Sequence, residues 1–214
     1  MAIKVVTFAA YLTGTVSQMR DPDYAAQKFV KGLKGEPING YARIRVRRTP
    51  RRLNNSNLDQ AITWFGQMAA DYLLSENESW PIALVPVPNS GSVLNGPEPR
   101  TLRLASAIKD NLKESSVADV FRWRERFPSA HQEGGTRNPA TLFQNLIVVY
   151  EMPSVPIVLV DDVLTSGGHL QACAAWVWRK SGNLPMAICG GRTVDTQQAD
   201  PFEVKLEEID EFYP

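Results

Sequence analysis

The run Ile157-Val158-Leu159-Val160-Asp161-Asp162-Val163-Leu164-Thr165-Ser166-Gly167-Gly168-His169 constrains this chain more than any other stretch. Ile157–Val160 has no polar position, which predicts a strand covered on both faces, as at the centre of a parallel sheet. Two adjacent carboxylates follow at its C-terminal end, the edge where open α/β sheets place ligands. Thr165 to Gly168 are short residues leading into a helix predicted over Gly168–Lys180, with Leu170, Cys173, Ala174 and Val177 inward. Their hydroxyls and backbone N–H groups, with a helix N-terminus behind them, make a phosphate cradle. Carboxylates suit ribose hydroxyls or Mg²⁺. Together the two halves describe a site for a phosphorylated sugar. A plain helix cap with a glycine turn explains Gly167-Gly168, but not two acids after four aliphatic residues.

The flanking sequence supplies a matching scaffold. Ile82–Pro86, Val117–Phe121, Leu146–Tyr150 and Pro185–Cys189 read as short apolar strands. A helix opens at Pro99 or Arg100, with Leu104, Ala107, Ile108 and Leu112 inward. Nearer the N-terminus, Ile3–Leu12 reads as a strand and Asp23–Lys34 as a helix. Asn57 caps a helix carrying Leu58, Ile62, Phe65, Ala69 and Tyr72. Tyr41–Arg47 alternates, with Arg43, Arg45 and Arg47 on one face of a strand and Ile44 and Val46 on the other. This α/β alternation predicts a central parallel sheet flanked by helices, with a small hood from the termini. A hydrophobic share of 43% over 214 residues is enough for one core.

Several classes are disfavoured. Lys plus Arg is 23 and Asp plus Glu is 23, so no strong global pull toward nucleic acid or anionic membrane is expected. Locally the balance is uneven. Six arginines fall between Arg43 and Arg52, while the tail from Asp195 onward is acidic. A solvated, edge-protecting strand partly paired to that tail is the favoured reading; a nucleic-acid surface is the less favoured one. Cys173 and Cys189 are too few and too far apart for a disulfide scaffold or zinc site, and read as buried small residues, which favours a reducing, cytoplasmic location. No apolar run is long enough to span a membrane. Lys4 and Val5–Leu12 are short for a signal peptide and read as a buried strand.

The Ile157–His169 run closely resembles the phosphoribosyl pyrophosphate (PRPP) motif of type I phosphoribosyltransferases. The resemblance implies that Asp161 and Asp162 bind the ribose hydroxyls. Thr165, Ser166, Gly167, Gly168 and His169 then hold the 5′-phosphate; His169 stands where the family usually has Thr. Ala83-Leu84-Val85-Pro86-Val87-Pro88-Asn89-Ser90 resembles the pyrophosphate loop, in particular that of the ComF-like branch, with Pro88, Asn89, Ser90 and Gly91 facing pyrophosphate. Arg122–Asn145, with Arg124, Arg126, Ser129, His131, Gln132, Arg137 and Asn145, resembles the ComF-like loop that closes over pyrophosphate, Arg137 being the candidate contact. Trp123, at its root, is a candidate for stacking on a base. The resemblance covers about residues 80–193 of a single domain spanning 1–214. The ComF-like zinc finger has no counterpart, since no cysteine precedes Cys173.

What the resemblance implies is an enzyme that moves the phosphoribosyl group of PRPP to a nitrogen acceptor, nucleobase-like, releasing pyrophosphate. Mg²⁺ would arrive with PRPP, and no covalent nucleophile is needed. A homodimer is the family default. The alternatives are a non-catalytic PRPP sensor, nucleic-acid-associated through the arginine stretch, and a hydrolase acting on a phosphoribosyl compound. Acceptor choice would lie in the hood, which carries no recognised motif.

Overall fold

A computed structural model describes residues 2–16, 18–76, 81–126 and 136–214. Sequence readings at Trp80, Ser129, His131, Gln132 and Gly134-Gly135 lie outside the described residues.

The main sheet is built around β9 (Ile157–Leu164). It pairs in parallel with β5 (Ile82–Pro86) on one side and β10 (Met186–Val194) on the other. β6 (Ser115–Val117) continues beyond β5, also parallel. Beyond β10 lies β1 (Ala2–Thr7), parallel, and then β11 (Lys205–Asp210), antiparallel at the outer edge. β2 (Ala10–Leu12) prolongs the line of β1 along β10.

Helices cover both faces, which is why β9 tolerates no polar residue before Asp161. Val158 and Val160 enter one apolar cluster, with Phe29, Phe65 and Leu104. These come from α1 (Asp21–Lys34), α2 (Gln60–Glu76) and α3 (Thr101–Lys109). Ile157 and Leu159 enter the other, with Leu142, Leu170 and Cys173. That side is covered by α4 (Pro139–Asn145) and α5 (Gly168–Ser181). The period-two division of one apolar run between two cores is the expected signature of a central parallel strand.

The expected fold class is the observed one, with differences in its parts. The predicted strand Ile3–Leu12 is interrupted at Phe8 and Ala9, yet keeps register: Thr7 faces Cys189 and Ala10 faces Arg192. At the termini, β1 and β11 bond to each other along the sheet edge. The predicted strand Val117–Phe121 splits. β6 stays in the sheet, whereas β7 (Phe121–Trp123) leaves it to pair antiparallel with β8 (Leu146–Val148). Asp119 and Arg122, bonded at 2.6 Å, hold the corner between them. Among the described residues, no ion pair joins the acidic tail to the arginine stretch. The arginines lie on a separate hairpin of β3 (Tyr41–Val46) and β4 (Thr49–Asn54). Arg47 sits in its turn and not on the Arg43–Arg45 face. Asn57 does not cap α2; it accepts from the Asn54 N–H and donates to Arg52 O, closing a 3₁₀ turn at Asn55–Asn57. No helix among the described residues is long and apolar enough to cross a membrane.

Candidate functional site

The site lies where the parallel strands end. The chain leaves β5 through Pro88, Asn89, Ser90 and Gly91, and leaves β9 through Thr165, Ser166 and Gly167 into α5. Two side chains join these loops. Trp123 is fully buried, donates its indole N–H to Pro88 O and Asn89 O at 3.2 and 3.0 Å, and holds its ring 5.3 Å from that of His169. Arg100, just before α3, donates its backbone N–H to Asn89 Oδ1 at 3.0 Å and its guanidinium to Asp162 Oδ2 at 2.6 Å. Ser92 Oγ also donates to Asn89 Oδ1.

The adjacent acids differ. Asp162 is only 7% exposed, and Arg100 compensates its charge. Asp161 lines a small cavity and accepts the Asp162 N–H at 2.7 Å. Although it keeps an opening to that cavity, burial first, and the Asp162 charge second, push its carboxyl well above the usual aspartate range. The fields of Arg100 and Lys34 offset this only in part. β9 therefore runs further than expected, to Leu164, and carries both acids inside paired backbone: Asp161 faces Cys189 of β10. Cys173 and Cys189 are fully buried, as read from sequence, and burial beside Asp161 raises both thiols.

The cradle is the N-terminus of α5. Gly167 is its cap with φ 80°, a left-handed conformation that favours glycine. Gly168 is required by proximity. A Cβ there would stand 2.2 Å from Arg137 O, so only glycine lets the segment before α4 lie against the helix end. The resulting cavity, about 50 Å³, is walled by Thr136, Arg137, Asp161 and the loop Thr165 to His169. The first N–H groups of α5 have no partner within the helix and carry its positive end. Beneath the loop, Arg192 donates to Thr165 O at 2.5 Å and pairs with Glu207 at 3.1 Å. His169 is held neutral: burial lowers its pKa to about 4, against the opposing pull of Asp162. Its imidazole brings no cation to the cradle at neutral pH.

Asp161, Thr165, Ser166, Gly167, Gly168, His169 and Arg137 thus meet around one cavity. Asp162 and the Pro88–Gly91 loop join them through Arg100 and Trp123. Two other readings are corrected. Trp123 is fully buried, so its face is closed to a base. Asn145 is a clip: its side chain bonds Glu125 N and O at 2.9 Å, and its carbonyl accepts from Arg124 N at 2.7 Å. Arg100, Arg192 and Lys34 escape sequence reasoning. Among the described residues, no group of three or more His, Cys, Asp or Glu side chains could hold a metal ion.

The chain is similar in fold to solved phosphoribosyltransferases. With a hypoxanthine phosphoribosyltransferase from Staphylococcus aureus it shares 10% identity over 64% of this chain and 69% of that one, at a TM-score of 0.35. With an adenine phosphoribosyltransferase from Thermoanaerobacter pseudethanolicus the values are 14%, 72%, 94% and 0.37. With one from Trypanosoma brucei, solved in complex with AMP, pyrophosphate and ribose-5-phosphate, they are 11%, 88%, 87% and 0.36. No family model matches the sequence, and no curated protein matches it.

Proposed function

We propose that the chain is a phosphoribosyltransferase, binding PRPP and passing its phosphoribosyl group to a nitrogen acceptor of nucleobase type. The observation carrying this reading is the convergence, at one end of a parallel sheet, of an acidic pair, a helix-end cradle and a second loop tied to both. The 5′-phosphate takes the N–H groups at the start of α5 and the Thr165 and Ser166 hydroxyls. Asp161 accepts from ribose hydroxyls. Asp162 is held by Arg100, which positions the Pro88–Gly91 loop for pyrophosphate. The C1–oxygen bond breaks with its electron pair leaving on pyrophosphate, a C1–nitrogen bond forms from the acceptor lone pair, and the proton lost by that nitrogen passes to the released pyrophosphate or to water.

The donor set fits Mg²⁺ carried by the pyrophosphate better than a metal held by protein alone, since Asp161 is the only carboxylate of the pair without a cationic partner. When bound, Mg²⁺ neutralises charge on the leaving group. Arg137, in the cavity wall, is the candidate cation from the adjoining segment.

The test is calorimetric titration of PRPP with Mg²⁺ into the native chain and into Asp161→Asn/Asp162→Asn, followed by pyrophosphate release across a nucleobase panel. Binding abolished in the double variant and release with at least one acceptor are expected. Native protein that is folded and does not bind PRPP refutes the proposal. Binding without release for any acceptor turns it into the sensor alternative.

A further inference from the structure

The β3–β4 hairpin carries two features its fold does not need. Ala42, Ile44, Val46 and Leu53 face the core, which leaves the outer face to Tyr41, Arg43 and Arg45, with Asn54, Arg52 and Pro50 opposite. Arg43 stands directly across from Arg52, a like-charge pair that weakens a hairpin. Arg47 pairs with Asp71 at 2.6 Å. Among the described residues, Arg43, Arg45, Arg48, Arg51 and Arg52 have no carboxylate partner, and all are exposed. Of the acidic tail, Lys205–Asp210 is engaged along β1, and Asp200, which reaches the groove beside these arginines, makes no ion pair with them among the described residues.

The turn is the second feature. Arg47 and Arg48 have φ of 47° and 65°, the only described non-glycine residues with positive φ. Two-residue hairpin turns of this geometry favour Asn-Gly. Strained backbone that displays charge is a feature of binding surfaces.

The hairpin, α1 and the turn near Phe202 enclose an open groove of about 750 Å³. It is lined by Lys28, Arg43, Arg45 and Arg48, with Tyr24 and Tyr41. Asp21 and Asp200 also reach it. Both tyrosines are about half exposed, at 45% and 47%. The Arg52 guanidinium lies 4.3 Å from the centre of the Tyr41 ring. An acidic protein would need the charges but not the ring faces, and a duplex offers no unstacked bases. Six residues of strand span about 20 Å, more than one nucleotide covers. The Tyr41 ring already carries the Arg52 and Arg43 guanidiniums, so this surface offers half-exposed tyrosines and guanidinium planes for bases to stack on, alternating with charges for phosphates, along a length that suits a single strand.

We infer that the β3–β4 hairpin and its groove bind single-stranded nucleic acid. The surface shares no residue with the phosphosugar site. The test is fluorescence anisotropy of the full chain with fluorescein-labelled 20-nucleotide oligo(dT) and oligo(U), against a duplex and labelled polyglutamate. Saturable single-strand binding is expected. Its log K should fall with log salt at a slope of roughly −2 to −3, from about −0.7 per phosphate neutralised. Arg43→Ala/Arg45→Ala/Arg52→Ala should weaken binding about tenfold or more and flatten the slope by about 2. Tyr41→Ala should cost about fivefold or more at unchanged slope. Arg48→Gly, which relieves the turn, should raise Tm and weaken binding, and so separates binding from folding. The inference is overturned if the native chain does not bind, if these variants bind as the native chain does, or if duplex or polyglutamate binds as tightly.

Discussion

Replacing Gly168 by alanine tests whether the cavity depends on close backbone approach. The added Cβ would meet Arg137 O at 2.2 Å, Arg137 C at 3.0 Å and Leu142 Cδ1 at 3.2 Å. The oxygen must retreat by roughly 1 Å to reach an ordinary contact, and it is backbone, so the segment before α4 moves with it. Overpacking of this kind costs about 1–3 kcal/mol. The gain in helix propensity offsets at most about 1 kcal/mol. A net loss of about 1–2 kcal/mol corresponds to a Tm drop of roughly 2–8 °C in a chain of this size. The functional effect should be larger, because Thr136 and Arg137 form one wall of the cavity. Gly182→Ala is the matched control at the other end of α5. Gly182 has φ 72° and no atom near its missing Cβ, so alanine there meets backbone strain alone, about 1–2 kcal/mol. Urea denaturation and calorimetry with PRPP should find both variants destabilised and only Gly168→Ala impaired in binding. Native-like PRPP affinity in Gly168→Ala would refute the reasoning.

Two further substitutions probe the acids. A folded-state pKa raised above the unfolded value of about 3.9 means that the native state holds the Asp161 proton more tightly. Stability then falls as pH rises from that value to the folded pKa, and stays flat above it. Asp161→Asn, which keeps an acceptor for the Asp162 N–H, should match the native Tm at low pH and exceed it increasingly through that window, while losing PRPP binding; a native Tm that gains on the variant with rising pH contradicts this. Arg100→Met strands a buried carboxylate, which costs about 3–5 kcal/mol for a fully buried pair; with the Arg100 side chain 41% exposed, about 1–2 kcal/mol is expected. It should also weaken pyrophosphate binding, read by calorimetry, by freeing the Asn89 loop from Asp162; unchanged stability and affinity would remove Arg100 from the site.

The parts of the fold that were legible are those whose cause is local. Ile157–Val160 is apolar at every position because both faces of β9 are covered, and that pattern needs no knowledge of the neighbours. The same holds for Ile82–Pro86, observed with the predicted bounds. Val117–Phe121 misleads because its apolar residues serve two sheets, and the corner between them is an Asp119–Arg122 pair. The site divides likewise. Its acids and glycines are consecutive, so a strand end followed by a helix-end cradle is legible in their order. Arg100 is 62 residues from Asp162, and Trp123 is 35 from Pro88. Nothing local marks either as the tie between two loops, and Trp123 reads as a stacking ring until its complete burial is known.

The two halves of the cavity are incomplete in opposite senses. The first N–H groups of α5 present positive potential to a space whose nearest imidazole, His169, is neutral. Across the same space Asp161 keeps a demand that the Arg100 and Lys34 fields meet only in part, since Arg100 is bonded to Asp162. A bare phosphate would answer the first and repel the second. A cation would do the reverse. A ligand joining a phosphate to hydroxyl donors a few bonds away answers both without importing net charge at Asp161. The unequal treatment of two adjacent carboxylates therefore says more about the ligand than their presence does. Asp162 is settled by the fold, whereas Asp161 is kept unsettled at the cavity wall, at a cost in stability that a phosphorylated sugar would relieve.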